Sequence, residues 1–371
     1  MYIQNIKIDD FRNNSCTILN VTGTFNTFYG ENASGKTSLL EAINYLSTGK
    51  SLNGASNESL IRKNAAAFNI VAEINLGEKN QAFVGIRRSM DGSLEIKLDG
   101  ERMRSINAIA ELLPTIFIGP DCHKLLTDGP KERRRFLDWG LYYTFPQFYP
   151  QWRQYQKLLS QRNAALKDNV SRETLSSWSV GLAQAGEQLH LMRLAYLNRF
   201  LPILRNTLNR LLPDIKIEEK YQKGWDTENS LLESLTRNTT KELQVGHTLY
   251  GPHRSDLALT VDNLSITEFL SQGQQKLISY AMKLAQGEDV KITKKSAPIY
   301  LIDDMPSELD KNNQFLIAQA LIALNSQVFI TGIHKEDVEK LVDKIKDSKM
   351  FHVKHGEITM EEGAAVCETC V

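Results

Sequence analysis

Cysteine is scarce: Cys16, Cys122, Cys367 and Cys370 are scattered over 371 positions. A disulfide framework of the kind that holds small secreted domains together is excluded, and a reducing compartment is expected. Net charge is missing as well, since 44 Lys and Arg stand against 44 Asp and Glu. The average surface therefore neither attracts nor repels a polyanion, and any nucleic-acid site has to be a local patch. Nowhere do about 18 apolar residues run together, and the first residues, Met1 to Asp10, lack the basic stretch and apolar core of a secretory leader. A soluble, cytoplasmic chain with no membrane partner is expected. Repeats and low-complexity tracts are absent too. What remains is ordinary globular composition, 42% hydrophobic and 24% charged, with length for about two or three domains and a large core.

The pattern of apolar residues divides the chain in three. From 1 to 120 it is strand-rich: Ile3, Ile6 and Ile8 lead into Phe11, Phe25 to Tyr29 form a short run, and Phe68 to Leu76, Ala82 to Arg88 and Ser93 to Leu98 make a meander, the last two joined across Asp91-Gly92. One helix is expected from Lys36, with Leu39, Ile43 and Leu46 on one face. From 121 to 284 long helices dominate. Trp152, Tyr155, Leu159 and Leu166 form one stripe, and Leu182, Leu189, Met192, Tyr196 and Phe200 another, which Pro202 should kink or interrupt. Short strands return at Leu257 to Val261 and Leu264 to Ile266, before a helix expected over about Gln274 to Ala285. From 285 to 371, Ile299 to Ile302 and Val328 to Ile330 read as parallel strands buried on both faces. The tail from Glu357 is expected to be loose. The order predicts an α/β sheet, carrying an antiparallel β meander and interrupted by a helical insertion.

The strongest local signal is Gly30-Glu31-Asn32-Ala33-Ser34-Gly35-Lys36-Thr37, a full match to G-x-x-x-x-G-K-[ST] between a strand and a helix. Backbone N–H groups of such a loop and of the helix start point at phosphate, and glycine permits the close approach. Lys36 supplies mobile positive charge to the terminal phosphates of ATP, and the Thr37 hydroxyl is placed to ligate Mg2+. The bland alternative is a chance glycine-rich helix entry. Ile299 to Ile302 then ends in Asp303-Asp304, a buried strand followed by acid. Asp303 would hold the metal and Asp304 orient or deprotonate the attacking water, although two such carboxylates also cap helices. Finally, Ser271-Gln272-Gly273-Gln274 opens a helix as a capping box, and a capped helix N-terminus is itself suited to an anion.

This succession of motifs, completed by Ser307-Glu308-Leu309-Asp310, resembles the ABC-type ATPase heads of the SMC class. Within that class, Phe11-Arg12-Asn13, Pro120-Asp121, Gly129-Pro130, Arg133-Arg134, Phe136-Leu137-Asp138 and Gly251-Pro252-His253-Arg254 are similar to the RecF family of DNA replication and repair proteins, over essentially the whole chain. The resemblance implies a P-loop head of two lobes: lobe I from 1–120 and 285–371, and helical lobe II from 121–284. It implies an ATP-dependent homodimer in which nucleotide is held between the Gly30 to Ser38 loop of one copy and the Ser271, Gln272, Gly273 turn of the other. Arg12 would reach the phosphates, and Ser307 and Asp310 would lie at the dimer seam. It further implies weak, DNA-stimulated ATP hydrolysis, binding to double-stranded and gapped DNA, and RecO and RecR as partners.

Departures from the family pattern are visible. Asp128 precedes Gly129 where a glycine is usual, Asp304 is shorter than the glutamate of most such heads, and Thr331-Gly332 stand where a switch histidine normally follows the strand, with His334 beyond them. For DNA the residues say less. Between 121 and 210, 14 Lys and Arg face 7 Asp and Glu, and Lys131, Arg133, Arg134, Arg135, Arg153, Lys157, Arg162, Arg193 and Arg199 could line a groove for phosphates or be solvated and paired within the chain. Cys367-x-x-Cys370 lacks the second pair that a zinc site needs. Two rival readings share the ATP chemistry. A membrane transporter's nucleotide-binding subunit needs a coupling glutamine that Ile118 to Asp121 does not contain, and a small-molecule P-loop kinase leaves Ser271 to Gly273 unexplained.

Overall fold

The computed structural model describes residues 1–77, 80–168, 170–342, 345 and 347–361. In chain order, the strands and helices used below start with β1 (Tyr2–Phe11), β2 (Asn14–Asn20), β3 (Phe25–Tyr29) and α1 (Lys36–Thr48). Then come β4 (Ala67–Gly77), β5 (Asn80–Ser89), β6 (Leu94–Leu98), β7 (Glu101–Arg102) and β8 (Thr115–Ile118). The helical stretch holds α2 (Pro130–Thr144), α3 (Phe148–Lys167) and α4 (Arg172–Leu211), then β9 (Glu218–Gln222), β10 (Asp256–Val261), β11 (Leu264–Ser265) and α5 (Gln272–Lys294). The last part comprises β12 (Ile299–Ile302), α6 (Lys311–Leu324), β13 (Val328–Gly332), α7 (Lys335–Val342), β14 (Ser348–Lys354) and β15 (Glu357–Met360). The chain separates into two compact units, 1–121 with 295–371, and 122–294. The second break falls later than 284 because α5 continues unbroken past Ala285 to Lys294, its buried face extended by Asp289 and Val290.

The first unit holds two six-stranded sheets, and its architecture follows the expected α/β plan. One sheet is antiparallel, in the order β2-β1-β4-β5-β6-β7. The other runs β15-β14-β3-β13-β12-β8, parallel except for the β14–β15 pair. Between them lies α1, whose Leu39, Leu40, Ile43 and Leu46 pack in one core with Ile6 and Ile70 of the antiparallel sheet and Leu301, Phe329 and Phe351 of the parallel one. Ten of its 13 residues are buried, as suits a helix covered on more than one side. Each fully buried Leu or Ile contributes about 1.5–3 kcal/mol, so burial, not intrinsic propensity, holds this helix. The first residues of the tail are not loose: Glu357–Met360 pairs with β14 across His355-Gly356, both with positive φ (50° and 85°), a combination that suits a tight hairpin; positions 362–371 lie outside the described residues. Cys367 and Cys370 lie outside the described residues.

In the second unit α4 continues through Pro202 without interruption for 40 residues. A proline inside a helix costs about 3 kcal/mol, but Leu204, Leu208 and Leu211 beyond it are all buried, and that packing outweighs the loss. Three of the arginines that could have lined a groove or been paired within the chain are paired, and two of them, Arg162 and Arg193, are buried. Arg162 is fully buried, ion-paired at 2.6 Å to an equally buried Glu242 and bonded to Ser179 and Thr248. Arg193 holds Asp138 at 2.8 Å, and Arg199 grips Asp289. Burying a guanidinium is tolerated when a carboxylate pairs with it, as Glu242 does for Arg162 and Asp138 for Arg193, whereas Arg199 stays partly exposed.

The Gly251 to Asp256 turn is fixed from several sides. Arg193 donates to the Pro252 carbonyl at 2.7 Å and to Ser255 Oγ at 2.8 Å, and Tyr155 donates its hydroxyl proton to His253 Nδ1 at 2.6 Å. His253 Nε2–H donates to the Thr248 carbonyl at 3.1 Å. His253 is thus a hydrogen-bonding corner, held neutral, and burial depresses its pKa to about 4, with nearby Arg254, Arg134 and Arg162 pushing the same way. In the unfolded chain it titrates near 6.5. Unfolding therefore takes up a proton between those values, and stability present above about 6.5 is lost as pH falls toward 4. Urea midpoints should show a loss of about 2 kcal/mol between pH 7.5 and pH 5 that is missing in His253→Gln; parallel pH profiles for the two proteins would contradict this.

Candidate active site

The phosphate loop joins β3 to α1 and is shaped by what presses on it. Gly30 sits so close to β14 that a Cβ there would lie 2.1 Å from the Val353 carbonyl oxygen. Gly35 has φ 118°, and a Cβ on it would come within 2.8 Å of Asn13 Nδ2. Both positions require glycine. The Ser34 carbonyl accepts from the Gly356 N–H at 2.8 Å and from Asn13 Nδ2 at 3.2 Å. The β14–β15 hairpin and the β1–β2 hairpin therefore brace the loop from two directions.

The β1–β2 hairpin turns on two residues, Arg12 and Asn13, and Arg12 has φ 55°. A long side chain in this region is rare and marks imposed geometry. The constraint comes from the Arg12 N–H donating to the Leu60 carbonyl at 2.7 Å, and from its guanidinium donating to the nearly buried Glu41 at 2.9 and 3.3 Å and to the Ser59 carbonyl at 3.2 Å. Glu41 also accepts from the Leu52 N–H at 3.2 Å, tying α1 to the loop that follows it.

An open cleft of roughly 640 Å3 runs over this loop, lined by Arg12, Asn13, Asn32, Ala33, Gly35 to Ser38, Ser59, Ile61, Lys63, Pro120, Asp303, Asp304, Thr331 and Ile333. Its size suits a nucleotide. Lys36 Nζ donates to the Gly30 and Glu31 carbonyls at 2.7 and 2.8 Å. Burial lowers the Lys36 pKa, while Asp304 and Asp303 act in the opposite sense. Thr37 Oγ1 lies 3.0 and 3.1 Å from the two oxygens of Asp303, itself 9% exposed. Asp304 has φ 54° and accepts from Ser307 Oγ at 2.8 Å. Burial raises its pKa, and the charges of Asp303 and Glu308 add to the rise.

One hydroxyl and one carboxylate are the protein donors that Mg2+ takes when phosphates and waters complete its octahedron. Thr37 and Asp303 fit that requirement. Among the described residues no cluster of three or more His, Cys, Asp or Glu side chains could hold a metal by itself.

The structure therefore gathers Arg12, Gly30 to Ser38, Asp303 and Asp304 at one place. Asn13, Glu41, Ser59, Lys63 and Thr331 join them without having been singled out for a role. Asn13 stood inside a quoted motif, whereas Lys63 and Glu41 carry no local signal. His334 is exposed and does not line the cleft. The Ser271 turn forms the expected capping box, Ser271 N–H donating to Gln274 Oε1 at 3.0 Å and Gln274 N–H to Ser271 Oγ at 3.3 Å. Asp310 caps α6 through the Asn313 N–H at 3.0 Å. Asp128 has an ordinary φ of −81°, so the missing glycine there causes no strain.

Arg133 and Arg134 are corrected as DNA contacts. Arg133 grips Asp256 with two bonds of 2.7 and 2.9 Å, and Arg134 donates to the Ser255 carbonyl at 2.8 Å. Arg135 stays exposed beside Glu132. Lys131, Arg153 and Lys157 are exposed as well.

A P-loop leading from β3 into a helix, with an Asp pair closing β12 one strand further along the same parallel sheet, beyond β13, is the layout of a P-loop ATPase, and the capping-box turn at Ser271 makes the class that of the ABC-type heads. The family model described as RecF/RecN/SMC N terminal domain matches residues 2–359. The DNA replication and repair protein RecF of Shewanella denitrificans is 35% identical over 364 residues, 98% of this chain and 100% of that one. RecF of Coxiella burnetii is 37% identical over 359 residues, 96% of this chain and 99% of that one. Among solved structures, the recombination mediator protein RecF with ATP, of the RecFOR pathway, matches with a TM-score of 0.86 at 26% identity, covering 97% of this chain and 98% of that one. An SMC head bound to the C-winged helix domain of ScpA shares the fold, with a TM-score of 0.61 at 16% identity over 97% of each chain. The chain belongs to the RecF family. Membership sets aside the transporter and kinase readings. Among the described residues no helix is long and apolar enough to cross a membrane.

If Thr37 and Asp303 share Mg2+, Thr37→Val should bind a fluorescent ATP analogue normally in EDTA yet lose about tenfold of the affinity gained on adding Mg2+. An unaltered Mg2+ gain would remove Thr37 from the metal site.

Proposed function

We propose that this chain is an ATP-gated DNA-binding protein of DNA replication and recombinational gap repair. The observation that carries the reading is the contact between Thr37 and Asp303, at 3.0 and 3.1 Å, which unites the phosphate loop and the Asp pair around one cleft. Loop N–H groups and Lys36 bind the phosphates of ATP, and Arg12, anchored by Glu41, adds a second cation at the rim. Mg2+, held by Thr37 and Asp303, would neutralise charge on the terminal phosphates. Asp304 orients the attacking water and accepts its proton. Its short side chain accords with slow turnover.

A homodimer would close over the nucleotide, the Ser271, Gln272, Gly273 turn of one copy meeting ATP on the Gly30 to Ser38 loop of the other. Gly273 supports this arrangement. Its φ is not positive, and a Cβ there would meet nothing within 4 Å, so nothing in its own subunit requires glycine. A close approach from a second copy would require it. Ser307 and Asp310 would lie at the seam. ATP binding closes the dimer on double-stranded or gapped DNA, and hydrolysis, stimulated by DNA, releases it. Lys131, Arg135, Arg153 and Lys157 remain for DNA phosphates, contacts that position without reading sequence. RecO and RecR are the partners that family membership suggests, and the cytoplasm the compartment.

The test is DNA affinity with and without ATP, across salt, alongside sedimentation. ATP should dimerise the wild type and tighten its hold on duplex roughly tenfold or more, with a log–log salt slope that counts phosphate contacts. Lys36→Ala should abolish dimerisation. Ser271→Arg should still bind ATP as a monomer but show neither dimerisation nor turnover, and normal turnover in that variant would refute the contact across the dimer.

A further inference from the structure

Strands β12 and β13 run parallel with Ile302 opposite Ile330, so Asp303 and Thr331 come next to one another at the strand ends. Thr331 is fully buried. Its Oγ1 donates to Asp303 Oδ1 at 2.6 Å and accepts from the Asp304 N–H at 2.9 Å. A threonine hydroxyl has a single proton to give, and here it goes to the carboxylate read as the metal ligand, while a lone pair holds the backbone of the residue read as the base. Asp304 keeps its left-handed φ of 54°, a conformation that a residue other than glycine holds only when its surroundings impose it. The Thr331 hydroxyl holds its N–H, and Ser307 Oγ holds its carboxylate.

The following residue cannot contribute a side chain. A Cβ on Gly332 would lie 2.5 Å from Val338 Cγ2 on α7 and 3.4 Å from Pro306 Cγ. A histidine at this position would have to displace the Val338 side chain or α7, and the exposed His334 does not line the cleft.

We propose that Thr331 is a positioning residue for ATP hydrolysis, one hydroxyl that ties the metal-side carboxylate and the base into a unit, and that β13 acts on the reaction through it and not through a histidine. This rests on the reading of Asp303 and Asp304 given above. Losing the hydroxyl frees the Asp303 carboxylate to rotate away from Thr37 and leaves the Asp304 N–H buried without its acceptor, so metal use and turnover should suffer together.

The experiment is ATP turnover against Mg2+ concentration, with fluorescent ATP binding in EDTA as the reference. Thr331→Val should raise the Mg2+ needed for half-maximal turnover and lower kcat, each about tenfold or more, and leave binding in EDTA unchanged. Thr331→Ser, which returns the hydroxyl, should recover most of both losses. A valine variant equal to wild type overturns the inference, as does a serine variant as impaired as valine. So does turnover that falls only in step with the folded fraction at an unaltered Mg2+ requirement. If the valine variant does not fold, Thr331→Ala takes its place with the same expectations. Absence of Mg2+-dependent turnover in the wild type would overturn the reading of the cleft and this inference with it, whereas the variant results bear on Thr331 alone.

Discussion

Two oxygens of Asp303 within hydrogen-bond reach of one Thr37 hydroxyl set the geometry on which the cleft depends. The contact joins the first turn of α1 to the end of β12, segments 266 residues apart in sequence. It can form only if α1 leaves β3 at one angle, which the steric demands on Gly30 and Gly35 enforce, and only if β12 lies at the correct offset in the sheet, which its pairing with β8 and β13 enforces. The core between the two sheets then holds α1 in place. Hydrophobic burial supplies the energy and the glycines supply the shape.

In the helical unit the same question, how to place charge, is answered differently. Arg133, Arg162, Arg193 and Arg199 are spent on Asp256, Glu242, Asp138 and Asp289. Such pairs add little net stability over apolar packing of equal volume, yet breaking one by removing a single partner is costly, about 3–5 kcal/mol. They tie segments distant in sequence to one another, and Arg133 and Arg193 anchor the Gly251 to Asp256 turn. The surplus of basic residues between 121 and 210 therefore overstates the charge this unit presents to solvent.

How much of this could be read beforehand varies with the range of the interactions. The phosphate loop, the Asp pair and the capping box at Ser271 are local strings whose chemistry depends on adjacent residues, and each was legible. The buried parallel strands were legible because a sheet covered on both faces leaves unbroken apolar runs. The fate of the arginines was not, since Arg133 meets an acceptor 123 residues away and nothing near it in sequence reveals the pairing. Pro202 misled because its local cost is real but smaller than the packing of the leucines that follow it. Glu357 to Met360 looked loose because an edge strand with one face open carries little apolar pattern. Thr331 was noticed only as the residue standing where a histidine was expected, and its bond to Asp303 spans 28 positions.

The position of β3 bears on how the molecule is made. This five-residue strand, synthesised early, is flanked in its sheet by β13 and β14, which the ribosome produces some three hundred residues later, and the hairpin after β14 supplies the N–H of Gly356 that braces Ser34. Until then an apolar strand and the loop it carries emerge without neighbours. A nascent chain therefore lacks the bracing of its phosphate loop until β13, β14 and the hairpin after them have been made, and through that interval β3 depends on whatever shields hydrophobic segments at the tunnel exit.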